Sequence, residues 1–149
     1  MGTVSQSTIF SNTFQTIFDL LEENLTDTGS SSNRTKWIYS AYPDKDFDEK
    51  NDYPIVVVDP ATITADPLTL SDVNEIQINV PIYIYSTSNS ELDTISDDVM
   101  DELEKGIATL EMNKMFNKRI ISTFTDTVFR GDIKLHMRVI SFRFTFHHD

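Results

Sequence analysis

Three acidic residues alternate along Asp44-Lys45-Asp46-Phe47-Asp48, the donor spacing with which a calcium loop begins. Such a loop takes oxygen ligands at its positions 1, 3 and 5, turns on a Gly at 6 and closes with a bidentate Glu at 12. Counted from Asp44, position 6 is Glu49 and position 12 is Ile55. The turn residue and the closing ligand are both missing, so residues 40–53 read as a flexible acidic loop kept open by its own charge. A second set, Asp97, Asp101 and Glu104, falls on one face of a predicted helix, a spacing that suits magnesium. Helices that hold metals through carboxylates usually add a His in a Glu-x-x-His pattern, and none is present here. A solvated charged face is the simpler reading.

The remaining reactive side chains point the same way. His136 alternates with Leu135 and Met137 and so sits on the polar face of a strand, while His147 and His148 lie beside Asp149. The G-x-S-x-G, Walker, G-x-G-x-x-G and H-E-x-x-H patterns are absent, and four Gly leave little for a phosphate-cradling loop. Nothing selects a carboxylate pair for glycoside hydrolysis. Arg130-Gly131-Asp132 spells an integrin-binding tripeptide, but a Gly at a hairpin apex accounts for it. The five Tyr and Trp37 are scattered and form no base-stacking ladder. These residues lead us to expect no enzyme, no cofactor and no bound metal.

The elements that would carry such residues come from hydrophobic period. The chain has 149 residues and ten Phe, enough for a single domain with one core. Its net charge of −12 suits it poorly to gripping phosphate backbones. It has no cysteine, which rules out disulfides and thiolate chemistry. No basic-then-apolar leader and no apolar run of membrane-spanning length is seen.

Phe10, Phe14, Ile17, Phe18, Leu21 and Leu25 make one helical stripe. A short strand is expected at 36–39 and another at Tyr53–Asp59, with 61–70 irregular. From Glu75 to Tyr85 the alternation is strict, with Ile76, Ile78, Val80, Ile82 and Ile84 on one face and Tyr83 and Tyr85 on the other. Pro81 there predicts an edge strand or a bulge, because it cannot donate to a ladder.

A helix follows with Ser90 as N-cap, Asp93 as its capping partner and a buried stripe from Leu92 to Leu110. A hairpin about Gly131 comes last. In its second strand the apolar phase switches after Val139 to Ile140, Phe142, Phe144 and Phe146. That slip predicts a bulge, or a strand leaving one buried surface for another. The expected fold is α+β, a mostly antiparallel sheet of four to five strands with two helices on one face.

This order of elements, with YPIVVVDP, EIQINVPIYIYST, SELDTISDDVMDELEKGI and a hairpin ending in RFTF, resembles the tail terminator (tail completion) proteins of long-tailed bacterial and archaeal viruses. Neck and head-completion proteins, the head–tail adaptors, share much of the outline and form the alternative. The resemblance implies a structural virion protein, assembled in the host cytoplasm and sited at the head-proximal end of the tail. It implies a homo-oligomer, a hexameric ring, that caps the tail tube, stops its polymerisation and meets a neck or head-completion protein. Tail tube protein and neck protein are the implied partners, genomic DNA passes through without specific binding, and no membrane is involved.

The resemblance transfers no site residues, so contact positions come from physical reasoning. Tyr83 and Tyr85 on the wet strand face suit an interface. Phe142, Phe144 and Phe146 either pack under the first helix or meet a second subunit. Asp44, Asp46 and Asp48 form an arm that orders when a neighbour docks.

Overall fold

The strict alternation from Ile76 to Ile84 builds the central strand of the molecule. The computed structural model describes residues 9–28, 36–43, 52–67 and 75–147. Within them β1 (Ile38–Tyr39), β2 (Ile55–Val58), β3 (Thr64–Pro67), β4 (Glu75–Ser86), β5 (Met115–Arg130) and β6 (Ile133–His147) form one six-stranded sheet. Its order is β1-β2-β4-β6-β5, with β3 also paired to β4. β1 runs parallel to β2, and the other pairs are antiparallel. Three helices, α1 (Ile9–Asn24), α2 (Asn89–Lys105) and α3 (Ile107–Met112), complete an α+β fold. The class is the one expected, with one more strand and one more helix.

The extra strand arises in a segment that local sequence leaves irregular. The Asp59 carboxylate accepts from the Ala61 N–H at 2.9 Å and caps a 3-10 turn over Pro60–Thr62. That turn lays Thr64–Pro67 along β4 at Ile76–Asn79, beyond the end of β2, which covers Ile82–Tyr85. Pro81 is therefore not on an edge strand, because β4 is flanked on both sides. Instead, the β2 and β3 registers leave Val80 and Pro81 in the gap between them, where a missing N–H disrupts no ladder on that flank.

The extra helix arises at Gly106. A Cβ there would lie 2.5 and 2.7 Å from the two methyls of Leu20, so α1 packs closely here and any larger residue would have to displace the Leu20 tip. The predicted single helix divides at that crossing into α2 and α3. The cap also differs from expectation. Ser88, not Ser90, accepts from the Glu91 N–H at 3.4 Å, and Ser86 Oγ donates to the Glu91 carboxylate at 2.7 Å. Helix α1 is rotated from its predicted stripe: Ile9, Thr13, Thr16, Ile17, Leu20 and Leu21 are buried, whereas Phe10 is half exposed. Phe14 and Phe18 pack against each other at its margin, ring centroids 5.3 Å apart.

One face of the sheet lies under α1 and α2. Ile78, Val80, Ile82, Ile84, Ile140, Phe142, Phe144 and Phe146 meet Ile17, Leu21, Leu92, Ile95 and Val99 there in the main core. Of the two fates expected for the C-terminal phenylalanines, packing beneath the helices is the observed one. All three are fully buried within one chain and have no surface left for a partner, so their nomination as contact residues is corrected.

The phase switch in β6 has the second of its two explanations. The register of β6 with β4 is unbroken from His136 to His147. Ile133 and Leu135 belong to a separate apolar cluster on the opposite face, and the apolar residues from Ile140 onward belong to the main core. The strand passes from one buried surface to another. The bulges lie in its neighbour β5, between Phe116 and Arg119 and between Ile120 and Ser122. Asn117 takes φ 53° at the first of these, a conformation Asn tolerates better than most residues.

Candidate functional site

The hairpin is made by a two-residue turn, Gly131-Asp132, with Arg130 opposite Ile133 and Gly131 at φ 59°. Gly at the first central position with a positive φ matches the strand twist and fixes the register. This accounts for the Arg-Gly-Asp tripeptide in structural terms. What the turn extends is unusual. β5 is 16 residues long and is the last strand of the sheet. From Arg119 to Thr127 every residue is exposed, on both faces of the strand.

That stretch is not simply polar. Phe124 is 58% exposed and Phe129 71%, and Ile120 and Ile121 also lie open. Cross-strand pairing carries the apolar character inward: Phe124 is opposite Val139, Val139 opposite Tyr83, and Tyr83 opposite Val57. A long edge strand with unpaired backbone and bare aromatic side chains is what monomeric proteins avoid, by charge, proline or a covering loop. Sequence reading places the hairpin and misses this feature. The signal is present in Thr123-Phe124-Thr125-Asp126-Thr127-Val128-Phe129, which lacks the apolar stripe of a half-buried strand yet keeps two Phe.

The opposite sheet face, which the helices leave free, collects all five tyrosines. Tyr39, Tyr42, Tyr53, Tyr83 and Tyr85 gather around Ile55, Val57, Ile133 and Leu135. The hydroxyls of Tyr42 and Tyr53 are 2.6 Å apart, and Tyr42 packs edge-on to Tyr85 with centroids 4.9 Å apart. The Arg130 guanidinium lies 5.3 Å from the Tyr42 ring and donates to the Pro43 carbonyl at 3.4 Å. Residues near both ends of the acidic loop are thereby fastened to the sheet. Tyr85, nominated for an interface, is engaged inside this cluster, while Tyr83 is half-buried and continues the row towards Phe124. Asp44, Asp46 and Asp48 lie outside the described residues.

The cluster also sets an alkaline limit. Burial, then the nearby Tyr42, Tyr83 and Asp59, push the Tyr85 hydroxyl up to about 12. Burial and the Tyr42 hydrogen bond raise Tyr53 as well. A folded-state tyrosine that keeps its proton above the ordinary value near 10 stabilises the fold fully below that pH and loses the contribution as pH climbs towards 12. Denaturant melts across pH 9 to 12 should therefore show falling stability above about pH 10. Tyr85→Phe should flatten that fall by about 1–2 kcal/mol; an unchanged slope would contradict the assignment.

Two of the three acidic residues on the α2 face that suited a metal are ion-paired. Asp101 pairs with Lys105 at 2.8 Å and Glu104 with Lys118 at 2.6 Å. Among the described residues no group of three or more His, Asp or Glu is arranged to hold a metal ion. His136 stands opposite Ser86 on one side and Thr127 on the other, with no catalytic partner near it in the ladder. Three of the buried polar side chains bond back to a carbonyl four residues earlier: Thr16 donates to the Asn12 carbonyl, Ser96 to that of Leu92 and Asn113 to that of Thr109.

Charge is distributed unevenly over this framework. The segment 114–149 holds seven Lys or Arg against three acidic residues, while 1–113 holds five against 21. A cationic hairpin thus projects from an anionic body. Over α2 alone seven carboxylates stand against one lysine.

Fold and surface together define a class: a small α+β fold whose prominent feature is an exposed apolar hairpin edge. No protein-family model matches the chain, and the search of curated proteins gave no match.

Proposed function

We propose that this chain is a structural ring subunit of a virus tail, a terminator that caps the tail tube at its head-proximal end and joins it to the neck. The observation that carries the reading is the β5 edge. A 16-residue strand with open backbone and exposed Ile120, Ile121, Phe124 and Phe129 is left incomplete by one chain. Association with copies of itself completes it. The acidic body suits a ring around DNA, since a surface of that sign gives phosphates nothing to hold and lets the genome slide. Among the described residues no helix is long and apolar enough to cross a membrane. In this reading the protein performs no reaction and needs no cofactor; its partners are its own copies, tube protein and a neck or head-completion protein.

The test is assembly. Light scattering and negative-stain images should show a closed ring, expected to be of six, and the ring should bind the ends of tail tubes. Deletion of the gene should yield tails of uncontrolled length. A chain that stays monomeric at every concentration and ignores tube ends would refute the proposal. Binding to portal protein but not to tubes would favour the head–tail adaptor instead.

A further inference from the structure

An apolar edge that is also the cationic part of an anionic molecule restricts how two copies can meet. A contact centred on the hairpin alone would set hairpin against hairpin and cation against cation, since a two-fold axis through a surface pairs it with its own equivalent. In a head-to-tail contact the hairpin meets a different surface of its neighbour, and the rest of the chain is strongly acidic. Attraction between these two parts is already visible within one chain. Lys118 Nζ lies 2.6 Å from Glu104 on α2, and Arg138 Nη1 lies 2.7 Å from Asp93 on the same helix.

Among the described residues, one opposed pair of cations has no such partner. Arg119 on β5 is directly opposite Arg143 on β6. Like charges at opposed positions weaken a sheet unless an anion sits between them. Among the described residues neither arginine pairs with a carboxylate; Arg143 Nε donates instead to the Asn79 amide oxygen at 3.0 Å. With Gln77, Asn117, Lys118 and Thr145 the two arginines line a hollow of about 380 Å³. Ile120 and Ile121 follow immediately along the strand, and Phe124 a little further. On the acidic side, Asp97 of α2 is exposed and has no cation beside it among the described residues, and Asp101 is 59% exposed.

We infer that copies associate head to tail, the hairpin edge around Arg119 and Arg143 of one chain seated on the α2 face around Asp97 and Asp101 of the next. The apolar edge supplies the buried area, and the charges set orientation and suppress the hairpin-to-hairpin alternative. A contact between unlike surfaces, repeated from chain to chain with a closing rotation, produces a ring. This assignment rests on the ring reading above and names the two surfaces that would make the ring.

Charge exchange tests it. Arg119→Glu with Arg143→Glu places two carboxylates at the hairpin position that would face the acidic α2, and Asp97→Lys with Asp101→Lys places two cations at the α2 position that would face the two arginines. Each double variant, checked for a wild-type melting curve, should associate at least about tenfold more weakly than the wild type by sedimentation velocity. A 1:1 mixture should reassemble with the two variants alternating, because the reversed hairpin then meets the reversed α2 and the two unaltered surfaces meet each other. Wild-type assembly should itself weaken about tenfold between 0.1 and 0.5 M NaCl, a readout that survives if a variant misfolds.

If the wild type forms rings but the variants do so equally well, or the mixture stays dispersed, or salt has no effect, the inference fails while the ring reading stands. A wild type that is always monomeric removes both. A short DNA duplex bound by the wild type and released by Arg119→Glu with Arg143→Glu would reassign the pair to nucleic acid and overturn the inference.

Discussion

Phe144→Ala is expected to cost the isolated chain about 3–5 kcal/mol of stability, the usual range for truncating a fully buried Phe. Phe144 is 0% exposed, packs 6.5 Å from the Phe142 ring and sits opposite Ile78 in the register of β4 and β6. The loss has two parts: the apolar area that no longer leaves water, and the cavity that close-packed neighbours fill only partly. For a chain of this size each kcal/mol moves the melting temperature by about 2–4 °C, so thermal melts should fall by about 6–20 °C. The effect should be independent of protein concentration, because the phenyl ring packs entirely against its own chain. If Phe144→Ala left the melt unchanged and only weakened association, the placement of this residue in the core would be wrong.

Phe124→Thr should behave in the opposite way. Phe124 is 58% exposed on the edge strand and contributes little to the fold of one chain, so the monomer melt should move by no more than about 0.5 kcal/mol. A buried aromatic at the centre of an interface commonly contributes about 2 kcal/mol or more, which corresponds to a loss of about thirtyfold or more in association. Sedimentation velocity across a concentration series should show the wild type assembling and the variant remaining dispersed. Equal assembly of both would remove Phe124, and with it the β5 edge, from the interface.

The contrast between these two phenylalanines marks where sequence reasoning reaches its limit. Both sit in alternating strands of one hairpin. In β6 the run Ile140, Phe142, Phe144, Phe146 has a clean period of two, and burial under a helix is one of its two expected outcomes. In β5 the alternation of Thr with Phe124, Asp126 and Val128 predicts a strand but not what lies over either face. Period identifies residues that share a face; it is silent on whether a layer covers that face. Coverage depends on how far α1 and α2 extend over the sheet. Likewise, Tyr39, Tyr42, Tyr53, Tyr83 and Tyr85 look scattered because the packing that unites them joins segments brought together by the β1–β2–β4 pairing.

The sequence by itself determined the α+β class, the long central strand, the acidic helix, the Gly131 hairpin and the absence of thiol chemistry. These follow from local period, turn residues and composition, which act over a few residues. Only the tertiary structure decided that the C-terminal phenylalanines lie inward and Phe124 outward, that Pro81 occupies a gap in the ladder of a central strand, and that the second helix divides at Gly106, beside Leu20. Each of those depends on a neighbour distant in sequence, and burial is a property of the assembled layers, not of any one strand.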